Sequence, residues 1–248
     1  MTGDSNPRRV SLVLPIILIT AGVLFLVRNW YARRQGFHMD AKHTTQTVDL
    51  QGAKSVHAQL QISAGELTIS GDSPHALDAD FRFTDSYGEP RVNYYITDGV
   101  GEISIAQDSH PVHFGNSRNE WNLRFSNTLP LGLRAEMGAG QGNLDFRDVP
   151  LTRLDLHVGA GEVNVDLTGD RKTDLTADIE GGVGQANIRL PKRIGVIAQA
   201  SGGIGSIRTY GLKQDGDSYT NEAYGKSPAT IHLKVTGGIG EIVLNQEP

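Results

Sequence analysis

Residues 154–165 read LDLHVGAGEVNV, and this stretch decides the fold. Before its two glycines, apolar residues alternate with polar ones at Leu154, Leu156 and Val158. After the glycines the alternation resumes at Val163. A period of two residues is typical of a β-strand with one buried face. The stretch therefore predicts two strand segments joined by a corner, where glycine permits a positive φ or a close approach of two backbones.

The same corner recurs along a chain of 248 residues that contains 30 glycines. Seven segments of the form Gly-x-Gly, the first with serine in place of its first glycine, lie between such alternations. They are residues 63–65, 99–101, 138–140, 159–161, 182–184, 203–205 and 238–240. The basic period is about 22 residues, with three longer steps that we interpret as insertions. One insertion, 211–230, is polar and predicts a loop or a hairpin arm.

A unit of this size cannot bury its own apolar face, whereas stacked units bury a continuous thin core. We therefore predict an all-β domain over residues 48–248, a single-stranded β-solenoid of about six to seven coils. Since aromatic residues are only 6% of the chain, we expect aliphatic side chains to fill this core. The alternative is an antiparallel β-sandwich, in which the same alternations form hairpins. A sandwich gives no reason for a glycine corner every 21 to 23 residues.

Residues 10–27 form an uncharged apolar segment of 18 residues. As a helix it covers roughly 27 Å, enough for the hydrocarbon core of a bilayer. Arg8 and Arg9 precede it, and an aromatic pair beginning at Trp30 follows, as expected at the headgroup level. We predict an N-terminal tail over 1–9, an uncleaved transmembrane helix over 10–27 and a juxtamembrane linker over 28–47. A cleaved signal peptide is the alternative, but no small-residue cleavage site follows.

The predicted transmembrane helix makes this a single-pass protein of the cell membrane that contacts the lipid bilayer through residues 10–27. The flanking arginines are nearly balanced, so they do not fix the side of the membrane on which the β-domain lies. A net charge of −5 gives no support to nucleic-acid binding. The absence of cysteine excludes disulfides, thiol catalysis and cysteine-based zinc sites.

Three segments carry a resemblance to a known family: WNLRF at 121–125, LPLGLRAEMGAG at 129–140 and LDLHVGAG at 154–161. Their order resembles the toast-rack β-solenoid domains of LiaF-type, cell-wall-active antibiotic response proteins of bacteria, over roughly residues 49–244. The segment 10–27 is similar to the LiaI–LiaF-type transmembrane region, which commonly has more than one span. The resemblance implies a non-enzymatic envelope protein and a membrane partner of the sensor-kinase type.

The glycine corners do not match known ligand loops. Residues 182–187 have asparagine where a dinucleotide-binding loop needs its third glycine, and no corner opens a predicted helix. Residues 181–186 have alanine where a calcium-binding nonapeptide repeat has its carboxylate. We predict that the glycines are structural.

Stacking also predicts columns of equivalent side chains. The position after each corner is mostly Glu or Gln, which predicts a surface ladder with few adjacent carboxylates. Its members are Glu66, Glu102, Gln141, Glu162, Gln185, Ser206 and Glu241. Two positions further along, Asn143, Asn164 and Asn187 predict an amide ladder.

Asp145 and Asp166 are predicted to lie about 5 Å apart on neighbouring strands, close to the spacing of a retaining glycosidase pair. The alternative, which we favour, is an outward-facing column in which Arg189 neutralises one carboxylate and water screens the other. His110 and His113 are too few ligands for a metal site, even with Glu120. We therefore assign no catalytic, cofactor-binding or metal-binding residues, and we expect no cofactor.

Three functions follow from this reading. The first is a membrane-anchored, non-enzymatic envelope protein whose β-solenoid is an interaction or signalling module, as in an envelope stress response. The second is an adhesin-like or structural scaffold at the cell surface. The third is a β-helix enzyme acting on polysaccharide, for which no convergent acid cluster is present.

Overall fold

The computed structural model describes residues 41–107 and 117–247. The predicted tail, the predicted transmembrane helix at 10–27 and the first part of the predicted linker lie outside these residues. In the two described ranges, no helix is long and apolar enough to cross a membrane.

The described residues form strands and turns, so the all-β prediction is confirmed. The strands are β1 (Lys42–Val48), β2 (Ser55–Ser73), β3 (Leu77–Phe83), β4 (Arg91–Thr97), β5 (Val100–Ala106), β6 (Asn119–Ser126), β7 (Leu131–Asp145), β8 (Leu151–Asp166), β9 (Leu175–Leu190), β10 (Gly195–Tyr210), β11 (Lys213–Asp215), β12 (Ser218–Thr220) and β13 (Thr230–Gln246). Since β1 begins at Lys42, residues 42–47 belong to the sheet rather than to the predicted linker.

Six long strands, β2, β7, β8, β9, β13 and β10, stack in parallel in that order. A straight strand of 16 residues such as β8 is about 53 Å long. Only residues 146–150 connect β7 to β8, and five residues span at most about 18 Å. Each strand must therefore fold back on itself, and it does so at its glycine corner. We refer to the parts before and after the corner as the first and second arms.

The sheet contains both parallel and antiparallel strand pairs, so the predicted solenoid accounts only for its parallel part. At the β2 end, β6 continues the second arms and β5 continues the first arms. Beyond them the pairs β6–β3, β3–β1 and β5–β4 are antiparallel, which is the pairing that the sandwich alternative predicts.

Two details of the predicted repeat are wrong. Gly99 is part of a two-residue hairpin turn between β4 and β5 rather than a corner, since Asp98 and Gly99 have φ of 51° and 81°. The repeats are also not stacked in chain order, because β13 lies between β9 and β10. The insertion at 211–230 contains the predicted hairpin, β11–β12, and is long enough for the chain to double back to this position.

The core lies between the two arms. In β8, Leu154, Leu156, Val163 and Val165 are all buried, as their parity predicts. The expectation that aliphatic side chains fill the core is wrong at the β2 end, where the largest buried side chains are aromatic. There Phe81 and Trp121 pack edge to face, with ring centroids 5.4 Å apart.

Candidate functional site

The glycine corner is a tight structural element. Gly184 has a φ of 140°, and a Cβ at this position would overlap the carbonyl group of Gly161 on the adjacent strand. Gly182 faces the carbonyl group of Gly159 in the same way. Equivalent overlaps occur at the other corners from β7 to β10, so two rows of glycine are required by close backbone approach. The prediction that these glycines are structural is confirmed.

Between the two glycine rows lies a row of apolar residues, which we call the corner ridge. In stack order it consists of Ala64, Ala139, Ala160, Val183, Ile239 and Ile204. The side chains grow from alanine at the β2 end to isoleucine at the β10 end. Val183, Ile239 and Ile204 are 53%, 51% and 72% exposed. Large apolar side chains that adjoin one another on a surface mark a contact site more often than scattered ones do.

The ridge ends at an open strand edge. From residue 199 onward, β10 pairs with β13 on one side and, among the described residues, has no strand on its other side. Ile207, on the second arm of β10, is 37% exposed, whereas its register partner Ile242 on β13 is buried. The repeat pattern alone does not predict this surface, because the insertion at 211–230 lets β13 stack between β9 and β10 and leaves β10 at the edge.

In the column of residues that directly follow the corner, carboxylate and neutral side chains alternate more strictly than predicted. Its stack order is Glu66, Gln141, Glu162, Gln185, Glu241 and Ser206. Glu102 is not a member, because its strand follows a hairpin. Gln185 Nε2 and Ser206 Oγ donate hydrogen bonds to the two oxygens of Glu241 at 3.4 and 3.1 Å. From Glu66 to Ser206 the carboxylates of this column are therefore separated by neutral side chains, whereas on its other side Glu66 lies beside Glu120 of β6.

The predicted amide ladder is confirmed. Asn187 Nδ2 donates to Asn164 Oδ1 at 2.9 Å, and Asn164 Nδ2 donates to Asn143 Oδ1 at 3.1 Å. The ladder stabilises the outer face of three second arms. Its amide groups are engaged with one another.

Asp145 and Asp166 are register partners on the outer face, next to buried Leu144 and Val165. Arg189 Nη1 donates to Asp166 at 2.7 Å, as predicted. Arg147 was not predicted as a partner; its Nε donates to both oxygens of Asp145 at 3.0 and 3.1 Å. Hydrogen bonding to Arg147 lowers the pKa of Asp145 despite its partial burial.

Each carboxylate thus has an arginine partner, which is the arrangement of an ion-pair network rather than of an acid and base pair. Glu120, the third candidate ligand, pairs with Arg118 at 2.6 Å. His110 and His113 lie outside the described residues. In the described part of the chain, no cluster of three or more His, Cys, Asp or Glu side chains could hold a metal ion.

The sequence pattern also did not predict that the guanidinium group of Arg171 is buried. Arg171 lies between β8 and β9 and donates to the carbonyl oxygens of Leu151 and Phe146 at 3.2 and 3.4 Å. Burial lowers its pKa to about 10. Phe146 begins the connection at 146–150 and Leu151 follows it, so Arg171 holds the turn of the preceding coil.

Comparison with known proteins gives one family and one close structure. The family model for the N-terminal domain of toast_rack, DUF2154, matches residues 37–189. The crystal structure of a "putative cell adhesion protein" from Clostridium sporogenes is 32% identical, with a TM-score of 0.81. The match covers 84% of this chain and all of that one. A "putative adhesin" from Bacteroides fragilis covers 83% of this chain and 97% of its own, at 11% identity and a TM-score of 0.29. No curated protein sequence matches the chain.

Proposed function

The chain belongs to the toast_rack family, and on this basis we propose that it is a membrane-anchored, non-enzymatic protein of the cell envelope with an adhesive β-domain. The relative from Clostridium sporogenes, which is named for cell adhesion, supports this proposal because the similarity extends over its whole length.

The corner ridge is the observation that carries the adhesive role. Val183, Ile239 and Ile204 are neighbours in register, and each exposes half or more of its surface. The corner beneath them is held by the two glycine rows, so the ridge presents its side chains on a rigid support. Removing apolar surface from water contributes about 25 cal/mol per Å² buried. A contact that covers these side chains gains affinity without reordering the backbone.

We propose that residues 10–27 anchor the protein in the cell membrane as a single transmembrane helix. A reporter fused after residue 247 would give the side of the membrane on which the β-domain lies. An adhesive role requires the outer side. A reporter found only in the cytoplasm would refute adhesion.

Adhesion can be tested with cells that display the full chain, scored for attachment to cell-wall polymer and to each other. The double change Ile204→Ser and Ile239→Ser should lower attachment to the level of cells without the protein. Ala139→Ser and Ala160→Ser change the small end of the same ridge and serve as the matched control. Equal attachment by both double variants and the parent would contradict the proposal, provided that circular dichroism shows all three folded.

A second candidate is a regulatory contact with a membrane protein such as a sensor kinase. The resemblance of the ordered segments at 121–161 to LiaF-type domains favours it. Crosslinking in intact membranes and isolation of the full chain should then recover a sensor kinase in stoichiometric amount. Attachment that depends on the ridge, without such a kinase, would favour adhesion instead. We do not propose the polysaccharide-acting enzyme, because Asp145 and Asp166 are both engaged by arginine.

A further inference from the structure

Three glycines close to the corner are not required by the backbone. Gly181, Gly237 and Gly202 are register partners on β9, β13 and β10. None of them has a positive φ. A Cβ on Gly181 would meet nothing within 4 Å, and one on Gly202 would meet only an atom at 3.9 Å. Gly237 is more confined, since a Cβ there would lie 3.2 Å from Ile242 Cδ1. In contrast to the corner glycines Gly182 and Gly184, Gly181 and Gly202 leave space that a side chain would fill.

The same column carries core side chains earlier in the stack. Met137 on β7 and Val158 on β8 precede Gly181 in register, and both are buried. The apolar column is therefore interrupted for three coils. On the facing second arm, the residue after Val163 in stack order is Ala186, which is smaller and leaves further space.

The missing side chains leave a cavity of about 190 Å³ inside the corner. Val158 and Val163 close it on the β8 side, and Ile204 and Ile207 line it on the β10 side. Since β10 is the outer strand here and Ile207 is partly exposed, the cavity opens at that end of the stack. An engineered apolar cavity of about 150 Å³ in another protein binds benzene, so a cavity of this size can hold a small hydrocarbon.

The lining selects a hydrocarbon. Most of the lining is aliphatic side chains and glycine backbone; its polar members are Glu180, Gln185, Ser206, Thr236 and Glu241, and it contains no Lys, Arg or His. Its two carboxylates are already paired, Glu180 with His157 at 3.1 Å and Glu241 with Arg208 at 2.9 Å. An anionic headgroup therefore has no cation inside the cavity and must remain at the mouth. From β9 to β10 the cavity crosses two strand spacings, about 10 Å, which suits a narrow extended chain better than a fused ring system.

We propose that this cavity binds one unbranched alkyl chain, such as the acyl chain of a fatty acid or a membrane lipid, with its polar end at β10. Each methylene buried contributes about 0.8 kcal/mol, or roughly fourfold in affinity. The cavity shares Val183, Ile239 and Ile204 with the corner ridge, so it is tested through Gly181, which is not part of the ridge.

The full chain in amphipol, without detergent, can be labelled with lauric acid that carries a terminal diazirine. Labelling should be saturable, should be competed by unmodified lauric acid, and should map by mass spectrometry to peptides of β9, β13 and β10. Gly181→Val places three carbon atoms in the cavity and should weaken labelling roughly 60-fold. Gly181→Ala places one and should weaken it about fourfold, which keeps the test valid if the valine variant does not fold. Thr176→Val, on the exposed face of the same strand, should label like the parent.

A second arm of the experiment distinguishes the source of the chain. The full chain is reconstituted in phosphatidylglycerol vesicles that contain a trace of the same lipid with a diazirine-tipped acyl chain. Labelling of the same peptides in vesicles identifies a membrane lipid, and labelling only by the free acid identifies a fatty acid. Absence of saturable labelling in both arms would overturn the proposal. Labelling that is unchanged in both Gly181 variants, or that maps elsewhere, would overturn it as well.

Discussion

Replacing Gly184 by valine should destabilise the whole stack, whereas the same replacement at Gly181, three residues earlier in β9, should not. A Cβ on Gly184 would lie 1.7 Å from the carbonyl oxygen of Gly161, where real Cβ atoms stay beyond 3.0 Å. The φ of 140° adds backbone strain of about 1–2 kcal/mol for a side chain at this position. The displaced carbonyl group belongs to the β8–β9 ladder, so at least one ladder hydrogen bond beside the half-buried Gly161 is lost, at about 1 kcal/mol.

Together these effects amount to roughly 2–3 kcal/mol of the free energy of unfolding. For a domain of about 200 residues, each kcal/mol shifts the melting temperature by about 2–4 °C, so a drop of roughly 4–12 °C is expected. Gly181→Val adds the same side chain where nothing lies within 4 Å of its Cβ, and it extends the buried core. Its melting temperature should equal or exceed that of the parent.

Thermal unfolding of residues 35–248, followed by circular dichroism, compares the two variants directly. If Gly184→Val melts with the parent, the corner is not closed by backbone contact and the reasoning is refuted. If both variants lose the same stability, valine is simply unfavourable anywhere in β9, and position within the corner is irrelevant.

Three further predictions concern the anchor and the acidic column. Deleting residues 1–34 should release a folded domain from membranes, because the β-domain begins at β1; a fragment that stays on washed membranes or lacks a β-type circular dichroism spectrum would contradict this. The double change Asp145→Asn and Asp166→Asn should alter the free energy of urea unfolding by less than about 1 kcal/mol, with no calcium-dependent shift in melting before or after it; a calcium-induced rise that the change abolishes would show a cation site instead. Hydrogen bonding to Arg147 lowers the pKa of Asp145 below its ordinary 3.8, so the stability from this pair is fully present above 3.8 and is lost as the pH falls through the lower, folded value. Relative to Asp145→Asn, the parent should therefore lose stability in urea titrations only below about pH 4, and a difference that does not change with pH would contradict the pairing.

The features that the sequence predicted best depend on register alone. Once the corner glycines are aligned, Asn164 must lie beside Asn143 and Asn187, and the ladder follows without knowledge of any side-chain contact. The pairing of Asp166 with Arg189 follows in the same way. Arg147 was missed because it lies in the turn after β7, where the strand period no longer fixes direction.

Other features depend on choices that the repeat pattern does not encode. Gly99-x-Gly101 has the form of a corner, but Asp98 can adopt a positive φ, and the two residues then form a hairpin turn. The aromatic core around Trp121 was missed because the β2 end widens into antiparallel layers instead of continuing the narrow stack. The cavity arises from glycines that resemble the corner glycines in sequence but differ from them in surroundings and, compared with Gly184, in backbone conformation.

The position of β13 between β9 and β10 has a consequence for how the chain folds. The β7–β8 and β8–β9 pairs join residues only 20 to 23 apart, for example Asn143 with Asn164 and Asn164 with Asn187, so these three strands can assemble as soon as they are synthesised. The β9–β13 pair joins Leu175 to Ile231, 56 residues apart, and β10 docks only on β13. Loop closure over this distance is slower, and β10 must wait for residues 230–246 to leave the ribosome. Until then β9 has a free edge, and because β10 carries the same glycine corner as β13, we predict that β10 can pair with β9 before β13 is available.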